Sequence, residues 1–140
     1  MKELIQNLLL SLQREDKQAT KVAIDQLKNA GLPNEGIFEW VYQTHLKKEW
    51  VTINQMMTDL FLSDWQRFVE DKEELLIKSL PLYVEKDIRE LIAIRKGESD
   101  EPIDCVWDEV YGSLNSAQWD KEMSVELADY FRRNYLGLEC

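Results

Sequence analysis

The residues best suited to chemistry in this chain are His45, Cys105 and the carboxylate pair Asp104 and Asp108. His45 is the only histidine, and an imidazole is the side chain most suited to general-base work near neutral pH. It falls in a helical apolar series beside Tyr42 and Leu46, which is the setting of a core or boundary residue. Cys105 stands among Glu101, Asp104, Asp108 and Glu109. Negative neighbours disfavour the thiolate that a nucleophile needs, so its expected role is a small buried residue on an amphipathic helix. Asp104 and Asp108 are spaced i, i+4 and share a helix face, the arrangement acid–base work needs. A segment this acidic produces such pairs without any catalytic role.

Metal and cofactor chemistry finds little to hold. A di-iron bundle needs Glu-x-x-His pairs on two helices, and the residue three before His45 is Tyr42. A structural zinc takes about four Cys or His ligands, whereas His45, Cys105 and Cys140 are widely separated. The acids from Glu98 to Glu109 lack the Asp-x-Asp-x-Asp-Gly spacing of a calcium loop. Neither a phosphate-cradling glycine loop nor a Gly-x-Ser-x-Gly elbow is present. The expectation is a protein that is not an enzyme, with no catalytic residues, no metal and no cofactor.

The distribution of charge is more informative. Between Glu98 and Asp129 lie Glu98, Asp100, Glu101, Asp104, Asp108, Glu109, Asp120, Glu122, Glu126 and Asp129, against one base, Lys121. The stretch carries a net −9 of the −10 for the whole chain, so the remainder is nearly neutral. Trp107, Tyr111 and Trp119 are threaded through it. Dense like charge weakens a fold by self-repulsion, and charge interleaved with large aromatics supplies the anchors of protein interfaces.

Helix ends account for part of this acidity. Asp104 falls in the first turn of its helix, and Asp120 and Glu122 are expected in the first turns of the last one. Negative charge there is favourable by about 0.3–1 kcal/mol each. Glu98–Glu101 reads as a solvated loop. Asp108 and Glu109, in mid-helix, have no such explanation. Ile103, Val106, Trp107 and Val110 form the expected buried stripe, while Asp104, Asp108, Tyr111 and Asn115 follow a separate line. The expected partner-binding residues are Glu98, Asp100, Glu101, Asp104, Asp108, Glu109 and Tyr111, offering charge-assisted bonds to Lys or Arg beside an aromatic anchor. The basic pairs Arg95-Lys96 and Arg132-Arg133 fall near helix C-termini, where cations complement the macrodipole.

The elements that must position these residues are helices. Leu4, Ile5, Leu8, Leu9 and Leu12 recur at helical spacing. Asp16 caps a second helix that Gly31 and Pro33 terminate, and Asn34 caps a third with Phe38, Val41, Tyr42 and His45 on one side. Leu46, Trp50, Ile53, Met57, Leu60, Phe61, Trp65 and Phe68 give a fourth, separate from the third or continuous with it. Met56-Met57 is core filler. Glu73 to Leu80 reads as a short helix ended by Pro81, and another is closed by Gly97. Pro102 opens a helix through Leu114, and the last begins near Ser116 with Trp119, Met123 and Leu127 along one flank. No period-two alternation marks a strand. The expected fold class is all-α: a compact single-domain bundle, residues 1–140, of seven or eight short helices packed as antiparallel pairs. A solenoid is the variant arrangement, though no fixed-period repeat supports it.

Composition bounds the function. With 44% hydrophobic and 31% charged residues the chain is that of an ordinary globular protein. No apolar run approaches the roughly 18–20 residues that span a bilayer, and the N-terminus lacks a signal-peptide pattern. Two cysteines make no disulfide framework, so a cytoplasmic setting is expected. A pI near 4.6 argues against direct binding to nucleic acid or an anionic membrane and favours a basic protein surface. In composition the chain is similar to the small acidic helical immunity proteins of bacteriocin and contact-dependent inhibition systems. That likeness rests on no shared motif and carries over no residue. It implies a bacterial, non-catalytic inhibitor of the immunity or antitoxin type that neutralises a basic, nuclease-type toxin. The alternative is a helical adaptor or chaperone-like module binding a peptide or subunit through an apolar groove, with Trp40, Trp50 and Trp65 as its lining.

Overall fold

The computed structural model describes residues 1–139, and among them every regular element is an α-helix. In order these are α1 (Lys2–Gln13), α2 (Lys17–Asn29), α3 (Asn34–Tyr42), α4 (Trp50–Phe61), α5 (Ser63–Lys78), α6 (Leu82–Arg95), α7 (Ile103–Trp119) and α8 (Val125–Tyr135). The all-α class follows from the 3.6-residue spacing of the apolar positions. By its internal contacts the chain divides into two compact units, Met1–Asp71 and Lys72–Cys140, with the boundary inside α5.

Helix ends are set by local chemistry. The Asp16 carboxylate accepts from the Ala19 N–H at 3.0 Å, and the Ser124 hydroxyl accepts from the Leu127 N–H at 3.1 Å. Each side chain satisfies one of the free donors at the start of its helix. α2 and α6 close on glycines in the left-handed region, Gly31 at φ 96° and Gly97 at φ 74°. The Leu32 N–H returns to the Leu27 carbonyl and the Glu98 N–H to that of Ala93, which is the Schellman closure. α1 and α7 close by the same bonds, Asp16 N–H to Ser11 and Glu122 N–H to Ala117, but with Glu15 (φ 56°) and Lys121 (φ 61°) at the left-handed position.

Several boundaries differ from those the sequence predicts. Asn34 is inside α3 rather than capping it; Pro33 holds the cap position and no side chain makes a capping bond. Turns over residues 43–49 separate α3 from α4. The long apolar series is broken at Leu62, whose backbone (φ 53°, ψ −127°) cannot continue a helix. Glu73–Leu80 forms no helix of its own, because α5 runs unbroken from Ser63 to Lys78. α7 continues past Leu114 to Trp119, so Trp119 ends α7 rather than beginning α8.

In the first unit α1 packs on α2, and their buried hydroxyls are satisfied in place. Ser11 donates to the Leu8 carbonyl at 2.7 Å, and the Thr20 hydroxyl lies 2.7 Å from the Asp16 carbonyl and 3.1 Å from Ser11 Oγ. The ring of Phe38 meets Phe61 edge-on at 4.8 Å and Trp65 at 5.2 Å. Such pairs add about 0.5–1.5 kcal/mol beyond the area they bury. Trp65 is fully buried, and its indole N–H donates to Asn54 Oδ1 at 2.8 Å. Met56 and Met57 are both core residues.

In the second unit α6 and α7 form an antiparallel pair. Glu90 bonds Ser99, Asp87 bonds Ser113 and Glu122 bonds Tyr83, so the partners advance along α7 as they retreat along α6. α7 also packs on α8. The hydroxyls of Tyr130 and Tyr135 both donate to the Glu73 carboxylate, tying α8 to the end of α5. Arg89 clamps Glu74 through both terminal nitrogens, at 2.9 and 3.2 Å, and donates Nε to Glu85 at 2.8 Å. The guanidinium beside it holds the Glu74 carboxyl below its usual range.

Candidate functional site

α7 presents the acidic stretch. Its buried side is Val106, Val110, Leu114 and Ala117, spaced by three and four residues. This arc lies one position further round than the expected stripe. Val106 and Val110 belong to it, but Ile103 is exposed and Trp107 is half-buried. Cys105, expected to be buried, is exposed, because it falls about 100° from Val106 and away from the core.

The seven expected partner-binding residues are all exposed. Glu98, Asp100 and Glu101 occupy the loop before α7, where the Glu101 N–H donates to Ser99 Oγ at 3.3 Å. Asp104, Asp108 and Tyr111 fall on one line along the helix. Glu109 sits about 100° round from Asp108, on the flank of that line. Tyr111 is 41% exposed and stacks on Trp107, with ring centroids 5.6 Å apart and planes 12° from parallel. The Trp107 indole N–H in turn donates to the Leu136 carbonyl at 3.2 Å. Tyr111 is thus held by a neighbour that is itself fixed, which lowers the entropy lost when a partner covers it. Asn115, at the end of the line, is already engaged by Arg132 at 2.7 Å.

Of the ten acids, Asp129 is paired with Arg132 at 2.8 Å and Glu122 accepts from Tyr83 at 2.8 Å. The carboxylates of Asp104, Asp108 and Glu109 have no hydrogen-bond or ion-pair partner among the described residues. Their charge is not spent inside the molecule. The electrostatic account of Asp120 changes sign with the helix boundary. Asp120 is the C-cap of α7, at the negative end of the macrodipole, not in the first turn of α8. Glu122 lies in the turn that follows. Arg95, Arg132 and Arg133 do fall in the last turns of their helices, as expected.

No protein family, curated protein or solved structure matches the chain.

His45 is half-buried, stacked on Tyr42 at 4.4 Å, with Nδ1 donating to the Tyr42 carbonyl at 2.7 Å. Trp50 and Trp65 are core residues and line no surface, leaving Trp40 alone exposed of the three. Among the described residues no three His, Cys, Asp or Glu side chains are grouped to hold a metal ion. Among the same described residues no helix is long and apolar enough to cross a membrane. Trp119, 87% exposed at the end of α7, was not expected on the surface. Assigning it to the flank of α8 concealed it; its i, i+4 spacing from Asn115 was the available signal.

Proposed function

We propose that this chain is a non-catalytic binding protein of the immunity or antitoxin type, which neutralises a basic, nuclease-type toxin by covering its nucleic-acid cleft. The reading is carried by one observation: Asp104 and Asp108 stand exposed and internally unpaired on the same line as a ring-stacked Tyr111. Carboxylates left free in this way bond Lys and Arg of a partner with charge assistance, and they raise its arrival rate before contact is made. Clefts built for phosphate carry the complementary charge. The chain's own net charge of −10 keeps it off nucleic acid and directs it to whatever protein binds nucleic acid.

The test is the salt dependence of association with the product of the adjacent gene. The association rate constant is expected to fall at least about tenfold between low and physiological salt, and nuclease activity to be blocked at a 1:1 ratio. An adaptor that binds by apolar contacts alone would associate at a rate barely altered by salt.

A further inference from the structure

The far end of the α6–α7 pair carries a second exposed surface, and its character is aromatic. Trp119 is 87% exposed and Leu82 is 84% exposed. Tyr83 and Val125 are also exposed, and the Tyr83–Glu122 bond holds the start of α6 against the turn between α7 and α8. Leu82, Tyr83, Trp119 and Val125 therefore belong to one corner of the second unit. A cleft at this turn is lined by Trp119, Glu122, Met123 and Val125 together with Gln118, Ser124 and one base, Lys121.

The charge at this corner selects the occupant. Asp120, Glu122 and Glu126 are exposed around it, with Lys121 as the base among them. The C-terminus of α7 adds roughly half a negative charge. The N-terminus of α8 opens at the same turn, but the Ser124 hydroxyl fills its cap and Glu126 sits in its first turn. A second copy of this chain would bring the same acids to the corner and be repelled. A cation that also has a flat apolar face is suited to both the ring and the carboxylates, and the arginine guanidinium is that group.

We infer that this corner is a docking site for an arginine-bearing segment of a basic protein partner, with the guanidinium stacked on Trp119, its N–H groups on Asp120 and Glu122, and flanking apolar residues against Leu82 and Val125. The inference rests on the basic-partner reading above and gives that partner a second, aromatic anchor beyond the Asp104–Tyr111 line.

The experiment is a titration of the full, ¹⁵N-labelled chain with blocked hexa-arginine peptide, following the five tryptophan indole N–H resonances. The Trp119 resonance is expected to move furthest and saturate. Trp119→Ala is expected to weaken binding about threefold or more, and Asp108→Lys to leave the Trp119 response in place. A Trp119 resonance that stays still, or equal binding by Trp119→Ala, overturns the site. Movement of Trp119 on raising protein concentration without peptide also overturns it, since the occupant is then a second copy. Shifts confined to Asp104–Tyr111 with Trp119 unmoved remove this corner and leave the basic-partner reading standing.

Discussion

Tyr83 donates its phenol to the Glu122 carboxylate at 2.8 Å, joining the first turn of α6 to the turn that follows α7. Partial desolvation of the phenol, the bond to Glu122, and the charges of Glu122 and Asp120 all favour the protonated ring, and together they push its pKa up to about 12. The folded state therefore holds this proton more tightly than the unfolded chain, whose phenol titrates near 10.

The stability from this bond is expected to be fully present below about pH 10 and to be lost as the pH rises towards 12. Following the phenolic carbon of Tyr83 by NMR during an alkaline titration checks this directly. In Glu122→Gln the midpoint is expected to move back towards 10.

Asp120 places a negative charge at the negative end of the α7 macrodipole. Asp120→Asn is expected to stabilise the fold by about 0.3–1 kcal/mol, measured by denaturant unfolding at low salt. Destabilisation would mean that Asp120 serves the fold, and so weaken the case that this end of α7 is shaped for a partner.

Glu15 holds at the end of α1 the left-handed position that Gly31 and Gly97 hold at the ends of α2 and α6. A side chain there carries a strain of roughly 1–2 kcal/mol that glycine avoids, partly offset by glycine's greater freedom in the unfolded chain. Glu15→Gly is expected to raise the free energy of unfolding, measured by denaturant titration, by a net of about 0.5–1 kcal/mol. Glu15→Val, β-branched at positive φ, is expected to lower it.

Opposite sides of α7 are expected to respond differently. Leu114 is fully buried, and Leu114→Ala is expected to destabilise by about 2–5 kcal/mol through lost transfer energy and the cavity left behind. Asp108→Lys, on the exposed line, is expected to stay within about 0.5 kcal/mol of the parent. Denaturant unfolding of both variants separates the packing side of the helix from the side left free.

The helices were legible in the sequence because apolar residues at three- and four-residue spacing specify which face is buried, and because Asp16, Gly31 and Gly97 mark ends through known chemistry. Two of the boundaries that differ show why the others were not. Leu62 breaks the chain between α4 and α5 with a backbone conformation that leucine rarely adopts, so its residue type gave no warning. α7 runs on past the expected end at Leu114 to Trp119 and is closed by Lys121 in the left-handed region, with no glycine to announce it. That one shift exposed Trp119 and moved Asp120 from a favourable helix start to an unfavourable helix end. The exposure of Asp104, Asp108 and Tyr111 was legible, because it followed from spacing alone. The stacking of Tyr111 on Trp107 was not, because it depends on how the carbonyl of Leu136 holds the indole.

The most direct measurement is affinity capture from the source organism at low salt, comparing the parent chain with Asp104→Lys/Asp108→Lys, followed by a nuclease assay of the captured protein. The expected result is one basic protein recovered near 1:1 with the parent, inactive in the complex, active once released, and lost from the variant. Equal capture by the variant, or recovery of no basic protein, would contradict a role for the α7 face in neutralising a toxin.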